Sequence, residues 1–400
     1  MGKRLTIAYR KYRRDGIRET LLTIIEYFIK KSNFFNRTIL LSLIARPFIL
    51  SQEELAKRGK STDQFYPVRD ECSIELTSDR QDIINGFSHR LGDYPVNSAF
   101  GCILEDVYLL GPKALAVTHD GQLIMETAHR SHLGTFSYEF KYHLADKGLV
   151  STLHEFINYD ENHEKVIDTA ILMDCWWPGY YKWVIECLPQ FQLVDETNLD
   201  PSVIIRSNPP SWMIESLQLL GVDQSQIIEY DKPSKVRSAI IPSFQFRDYH
   251  TPRIAPNDIQ WLRKSLMNNS TSNDYSKRIY VSRQDADNRR VRNREELLDV
   301  ISNYGFEAYI LEKMSVEQQI KLFGQAETVV APHGAGLTNI VFSNNISVIE
   351  LFPYEITSDV YFCISQLLDH DYNYLQCERL DQDMIVDTEE LKTIFEETIA

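Results

Sequence analysis

Four short runs of apolar, largely β-branched residues alternate with helical patterns between residues 278 and 353. The runs occupy residues 279–281, 306–311, 328–331 and 348–352. Apolar strands that are bounded by turn residues and separated by helices are typical of a parallel sheet with crossover helices. The pattern therefore predicts a Rossmann-like α/β unit in this part of the chain.

The helices between these runs carry start and stop signals. Asn293 with Glu296, and Ser315 with Gln318, stand at capping-box spacing. Gly305 suits the C-terminal stop of the first of these helices. A further helix is expected directly after the third strand, where residues 332–337 form a glycine loop.

The same patterns divide the whole chain into four predicted parts. They are a basic amphipathic helical leader with a polar linker over 1–64, an α/β domain with a β layer over 65–250, a Rossmann-like domain over 251–356, and an acidic helical segment over 357–400. Asp120-Gly121 is a hairpin signal in the β layer. In the first α/β domain, Pro189 is expected to end a helix that begins at Tyr180.

Composition is ordinary for a globular chain, with 43% hydrophobic and 25% charged residues. The net charge of −15 argues against nucleic acid as a partner. Six cysteines lack metal-ligand spacing, which predicts free thiols in a reducing, cytoplasmic compartment. The longest apolar run, 39–45, is far shorter than the roughly 20 residues that a membrane-spanning helix needs.

The charge is unevenly distributed. Residues 1–50 hold eleven Lys or Arg residues and three Asp or Glu residues, on an otherwise acidic chain. A basic helix with an apolar face can lie on an anionic membrane surface. The alternative is a helix packed on the body with its cations solvated.

The glycine loop and nearby arginines predict an anion site. Glycine allows positive φ and close approach to the backbone, and the N-terminus of the following helix attracts phosphate. Arg283, Arg289, Arg290 and Arg292 flank the carboxyl end of the first strand, where ligands bind in such sheets, and Arg283 and Arg290 are expected to bind the anion. The alternative is a tight turn beside a solvated basic loop.

Residues 278–353 resemble the nucleotide-sugar-binding half of glycosyltransferase family 61. The resemblance rests on Tyr-Val-Ser-Arg at 280–283, the Arg-Arg pair at 289–290, Pro-His-Gly-Ala-Gly-Leu-Thr-Asn at 332–339 and Ile-Glu-Leu-Phe-Pro at 349–353. The family includes bacterial capsular and exopolysaccharide transferases, plant xylosyl- and arabinosyltransferases, and animal transferases that add N-acetylglucosamine to protein hydroxyls. The resemblance implies a GT-B fold and inverting, single-displacement transfer.

A second stretch, 176–189, resembles the family's other motif. Tyr180, Trp183, Glu186, Leu188 and Pro189 match it. Three positions depart, because Gly179 replaces Asn, Lys182 replaces His and Gln190 replaces Arg. The departure at Lys182 leaves Glu186, four residues later on the same helix face, as the candidate catalytic base, with Lys182 as the cation that holds and orients it. The alternative for this pair is an ordinary surface salt bridge.

The resemblance implies the following donor-binding residues: Arg283, Arg290, Asn293, His333, Gly334, Ala335, Gly336, Leu337, Thr338, Asn339 and Glu350. Glu350 is expected to hold the two ribose hydroxyls, with a solvated strand end as the alternative. Asp285 and Asp287 could share a divalent ion, but a solvated loop is favoured. No metal and no cofactor are expected, and the donor is expected to be a UDP-sugar.

The sequence therefore predicts a glycosyltransferase that moves a sugar to a saccharide or lipid-linked acceptor in surface polysaccharide or glycan synthesis. It is expected to be cytoplasmic and peripheral on the inner face of the membrane. The alternative is a catalytically silent nucleotide-sugar-binding or assembly protein. A dinucleotide oxidoreductase is discounted, since no G-x-G-x-x-G follows a strand.

Overall fold

The computed structural model describes residues 49–111, 114–124, 127, 163–173, 179–243, 254–267, 275–356 and 358–399. The predicted leader therefore lies outside the described residues up to residue 48, and the start of the second motif lies outside them over 174–178.

Eleven strands precede residue 243 in the described part of the chain. They are β1 (Ile49–Leu50), β2 (Phe65–Arg69), β3 (Cys72–Leu76), β4 (Gly92–Val96), β5 (Ala99–Leu110), β6 (Leu115–Val117), β7 (Leu123–Ile124), β8 (Lys165–Leu172), β9 (Ser202–Arg206), β10 (Ile227–Tyr230) and β11 (Ser234–Pro242). β3 and β4 form an antiparallel pair of their own. The others form one sheet in the order β1-β7-β6-β5-β11-β8-β9-β10, with β2 paired to β5.

The second sheet contains the strands foreseen from the sequence and two more. Its members are β12 (Arg278–Val281), β13 (Glu307–Tyr309), β14 (Thr328–Pro332), β15 (Ser347–Pro353), β16 (Asp371–Leu380) and β17 (Asp383–Ile385), in the order β13-β12-β14-β15-β16-β17. All pair in parallel except β17, which is antiparallel to β16. A mixed α/β architecture is thus confirmed.

Both sheets have doubly wound strand orders. Numbered from β8, the parallel strands of the first sheet lie in the order 3-2-1-4, and numbered from β12 those of the second lie in the order 2-1-3-4-5. In such a sheet the strand order reverses beside the first strand, and this position is called the switch point. Ligands bind there, in the crevice outside the carboxyl ends of the strands. The switch points lie between β8 and β11 and between β12 and β14.

Ten α-helices connect the strands within the described residues. They are α1 (Gln52–Ser61), α2 (Gln81–Phe87), α3 (Tyr180–Lys182), α4 (Gln192–Thr197), α5 (Ser211–Leu219), α6 (Pro256–Leu266), α7 (Arg294–Asn303), α8 (Val316–Gln325), α9 (Val360–Leu367) and α10 (Thr388–Ile399). Ser315 and Gln318 form the predicted capping box of α8. Gly305, at φ +76°, follows the end of α7 as predicted.

Several sequence predictions were wrong. The polar linker contains helix α1, which begins with a capping box of Ser51 and Glu54 and buries Leu55. The β layer is an extension of the first sheet, because β5 pairs antiparallel with β11. Composition alone misled here, since a helix or strand that buries one narrow face stays polar elsewhere.

The C-terminal segment is also not simply helical. Residues 371–380 form strand β16, which buries Tyr372, Leu375 and Cys377 after pairing with β15. Asp258 lies in the first turn of α6, and it binds the buried Arg69.

One apolar core joins the two sheets. It contains Ile171 and Ile205 from the first sheet and Ile279 and Val329 from the second. Separate clusters cover the outer face of each sheet. Strands β12 and β14 are therefore buried on both faces, as parallel sheets require. This packing fixes the position of their carboxyl ends.

Candidate functional site

The candidate site lies at the switch point of the second sheet. Arg283 follows β12, and His333 and Gly334 follow β14, the parallel neighbour of β12. Because the carboxyl ends of parallel strands meet at one edge, these residues come together although fifty positions separate them in sequence.

Gly334 is required for close packing rather than for an unusual backbone angle. Its φ of 170° is extended, so of the two properties of glycine only the close approach is used at this position. A Cβ atom here would collide with the guanidinium of Arg283. A Cβ atom on Gly336 would lie 2.9 Å from Cδ1 of Leu311. The glycine loop therefore lets the Arg283 side chain lie directly against the backbone.

The helix expected after this loop is present as a 3-10 helix over Ala335–Phe342. Leu337 donates its N–H to the carbonyl of Gly334 at 3.0 Å. Ala335 is exposed and Gly336 is half-buried. The first N–H groups of any such helix lack intrahelical acceptors, so they face the loop and suit an anion.

Arg289 lies near Arg283, because both guanidiniums donate to Asn288. Burial lowers the pKa of the Arg283 guanidinium, and the charge of Arg289 lowers it further. The backbone of Arg289 adopts a left-handed φ of +57°. Guanidiniums carry a positive charge in proteins, so an anion bound between these two would relieve their repulsion.

Arg290 is engaged elsewhere. It donates to the carboxylate of Asp383 at 3.0 Å, and Arg292 joins the same carboxylate at 2.7 Å. The hydrogen bond from Arg290 is the largest cause that lowers the pKa of Asp383. The structure thus brings Arg283 and Arg289 together and holds Arg290 against β17, so donor binding by Arg290 stays a prediction.

Asn293 occupies the position before α7, but its side chain makes no capping hydrogen bond. Its amide instead donates to the carbonyl of Val386 at 2.8 Å and accepts from the N–H of Val386 at 3.0 Å. The predicted capping role is wrong, while a role in donor binding stays a prediction. Asp285, in the same loop region, forms an ion pair with Lys313 at 3.0 Å.

His333 and Glu350 form a buried pair. Nδ1 of His333 contacts Oε1 of Glu350, whose side chain is 0% exposed. Tyr372 donates its hydroxyl to Oε2 of Glu350 at 2.5 Å. Burial raises the pKa of Tyr372 well above its usual value, which keeps the phenol a neutral donor. Glu350 was predicted to bind the ribose, but both of its carboxylate oxygens are already in contact with protein groups.

The remaining motif residues face inward. Leu337, Thr338 and Asn339 are fully buried. Asn339 accepts from the hydroxyl of Tyr180 at 2.8 Å and donates to the side chain of Gln319 at 2.9 Å. These residues join the loop to the neighbouring helices, and their part in donor binding stays a prediction.

Lys182 and Glu186 lie on a distorted helix at the switch point of the first sheet. Residues Trp183–Cys187 form a π-helix, and a 3-10 turn over Leu188–Phe191 leads into α4, so Pro189 does not end the helical segment as expected. Pro189 has no N–H for the regular ladder, which favours the π register before it.

The ammonium of Lys182 lies 3.5 Å from Oε2 of Glu186, with 8% and 17% of the two side chains exposed. The alternative of a surface salt bridge is therefore wrong. Aromatic contacts connect this helix to the candidate site. The ring centroid of Tyr181 lies 6.1 Å from that of Tyr361, which lies 5.5 Å from that of His333.

Sequence reasoning missed two residues at this site, Tyr361 and Tyr372, and chose Arg290 rather than Arg289 for donor binding. The Arg-Arg pair was noticed, but nothing in it distinguished Arg289 from Arg290. Tyr361 and Tyr372 belong to the segment that was expected to be helical, and no local pattern indicated that they would reach His333 and Glu350.

Fold and site define a mixed α/β protein whose second sheet carries a glycine loop and two arginines at its switch point. Residues 180–349 match the model of the family described as Glycosyltransferase 61. This span contains both the π-helical segment and the glycine loop, and the match supports the assignment to glycosyltransferase family 61 that the residues had indicated. No curated protein matched the chain. In the described residues, no helix is both long and apolar enough to span a membrane.

Proposed function

We propose that the protein transfers a sugar, with inversion, from a UDP-sugar to a hydroxyl of a saccharide or lipid-linked acceptor. The observation that carries this proposal is the guanidinium of Arg283 against Gly334, beside the second cation Arg289. Two doubly wound sheets that share a core support a GT-B architecture.

The donor's diphosphate binds between Arg283 and Arg289, with N–H groups of Ala335 and Gly336 at its other side. Charge-assisted hydrogen bonds of this kind contribute about 1.5–3 kcal/mol each. Arg289 takes the role that the sequence had given to Arg290, which the structure engages with Asp383.

The calorimetric test uses UDP and three matched variants. Arg283→Ala and Arg289→Ala are each expected to weaken UDP binding at least about tenfold, while Arg290→Ala leaves the affinity near that of the wild type. Unchanged affinity in Arg283→Ala rejects the site. A loss in Arg290→Ala instead of Arg289→Ala restores the assignment made from the sequence.

In transfer, the acceptor oxygen attacks the anomeric carbon and the bond to the diphosphate breaks, with its electron pair leaving on the phosphate oxygen. Glu186 takes the acceptor proton as general base. Lys182 orients its carboxylate and favours the ionised form.

A second candidate function is a nucleotide-sugar-binding protein that has lost transfer. The ion pair of Lys182 with Glu186 favours it, because a base held by a cation is a weaker proton acceptor. A thermal-shift screen of nucleotide sugars identifies the donor. Release of UDP with saccharide or lipid-linked acceptors then decides, since binding without transfer or hydrolysis supports the silent protein.

The product class that we propose is surface polysaccharide, such as capsule, or another glycan assembled at the inner face of the cell membrane. The basic residues within 1–50 support a peripheral contact with anionic lipid. A cytoplasmic enzyme at this surface would meet lipid-linked acceptors directly.

A further inference from the structure

Glu350 is completely enclosed at the base of the candidate site. Its side chain is 0% exposed, and His333 and Tyr372 occupy its two oxygens. A carboxylate in this position contacts a bound ribose only after both partners move. Direct contact of Glu350 with the donor would therefore require a rearrangement that a role through His333 does not require.

His333 is the member of this group that reaches the surface. Its side chain is 12% exposed, and its ring stacks 5.3 Å from Phe352. Nδ1 is engaged by Glu350, and Nε2 has no hydrogen-bond partner in the part of the chain that the structure describes. The nitrogen available to a ligand is thus Nε2, adjacent to the loop against which Arg283 packs.

From this geometry we infer that Glu350 is a positioning residue, which with Tyr372 holds His333 so that its Nε2–H donates to the donor's diphosphate. When the anion binds, His333 takes up one proton from solvent and becomes an imidazolium. Nδ1–H then donates to Glu350 and Nε2–H to a phosphate oxygen. This inference rests on the proposed function and replaces the expected ribose contact of Glu350.

The charged groups around His333 act on its imidazolium form in opposite directions. The carboxylate of Glu350 stabilises this form, whereas the nearby arginines destabilise it until an anion binds. The charged or titratable groups that face His333 or adjoin its neighbours are Glu350 from β15, Tyr372 from β16, Tyr361 from α9, Arg283 and Arg289 after β12, and Glu312 beside Arg283. Proton uptake is therefore expected to accompany binding.

A double-mutant cycle with UDP tests the positioning role. We expect His333→Gln to weaken UDP binding about tenfold and Glu350→Gln to weaken it about three- to tenfold. In the His333→Gln background, Glu350→Gln should change affinity by less than about twofold, because its effect passes through the imidazole. Additive losses overturn the inference.

Inorganic pyrophosphate is the ribose-free probe. The inference predicts that Glu350→Gln weakens pyrophosphate and UDP by similar factors. A loss confined to UDP means that Glu350 contacts ribose, which overturns the positioning role. Tyr372→Phe keeps the carboxylate, so it serves if Glu350→Gln does not fold. It should give a smaller loss that disappears in the His333→Gln background.

The number of protons taken up on UDP binding is a second measurement. It would not change on substitution of His333 if this residue had only a structural role. Calorimetry of UDP binding in buffers of different ionisation enthalpy, from about pH 6 to about pH 9, spans the range in which a histidine titrates. Wild-type protein should take up more protons than His333→Gln at some pH in this range. Equal uptake at every pH overturns the imidazolium.

The two levels of proposal fail differently. Wild-type protein that binds no UDP overturns the proposed donor and this inference with it. Wild-type protein that binds UDP normally, but shows additive losses in the cycle, overturns only the role of Glu350.

Discussion

Gly334 is the residue at which a single methyl group tests the anion site. A Cβ atom there would take the volume of the Arg283 guanidinium. Gly334→Ala should therefore displace that side chain and weaken UDP binding at least about tenfold, as measured by calorimetry. Gly305→Ala is the control. Because Gly305 has a left-handed φ of +76°, this substitution should lower the free energy of unfolding by about 1 kcal/mol, and the residue does not contact the site. Normal UDP affinity in Gly334→Ala contradicts the packing argument.

His370 makes the fold sensitive to acid. It is 4% exposed and its Nε2 donates to the carbonyl of Ile340, within the 3-10 helix, at 3.0 Å. Burial lowers its pKa from 6.5 to about 4. The unfolded chain therefore binds the proton more readily, so this residue's contribution to stability is intact above about pH 6.5 and declines as pH falls toward about 4.

The decline attributable to His370 is about 3 kcal/mol over that interval. His370→Gln keeps an N–H donor that does not titrate. Urea unfolding across the interval should show a flatter pH dependence in this variant than in the wild type. Parallel curves for the two proteins count against the buried neutral imidazole.

The π-helical segment carries Glu186, the base that we propose for transfer. Glu186→Gln keeps the shape and removes the proton acceptor, so we expect transfer to fall about 10²–10⁴-fold with UDP affinity near normal. Glu215→Gln is a matched control, since Glu215 accepts the N–H of Val316 at the start of α8. An active Glu186→Gln enzyme moves the base elsewhere.

Lys182 tests the same element through pH. Lys182→Ala removes the ammonium that favours an ionised Glu186, so the acidic limb of the rate profile should move to higher pH. If Lys182→His increases transfer, this helix position has a role of its own. An unchanged profile in Lys182→Ala removes the ion pair from the mechanism.

At the scale of the whole molecule, α6 connects the two halves. Asp258 binds Arg69 of β2, with both side chains less than 5% exposed, and Arg263 donates to the carbonyls of Val341 and Ser343 in the second half. Asp258→Ala leaves the Arg69 cation buried without this partner, which should cost about 3–5 kcal/mol of unfolding free energy.

Two controls accompany that measurement. Glu327→Ala breaks the exposed pair with Lys277 and should cost no more than about 1 kcal/mol. Replacing Arg69 and Asp258 together by Met and Leu should recover part of the loss, because no charge then remains buried. An Asp258→Ala protein as stable as the wild type contradicts the link.

How far the sequence alone reaches is clearest in the second sheet. The strands at 278–281, 328–332 and 347–353, the capping box of Ser315 and the stop at Gly305 follow from local spacing and backbone chemistry. The juxtaposition of Arg283 with the glycine loop followed as well, because carboxyl ends of parallel strands share an edge.

Tertiary structure decided the rest. The left-handed backbone at Arg289 and the carboxylate of Asp383 on a later strand determine which arginine adjoins Arg283. Tyr372 turns Glu350 into an enclosed group only because β16 pairs with β15. Such pairings join residues far apart in sequence, so no local period records them, and a segment whose composition is acidic and mixed becomes a strand by gaining a partner.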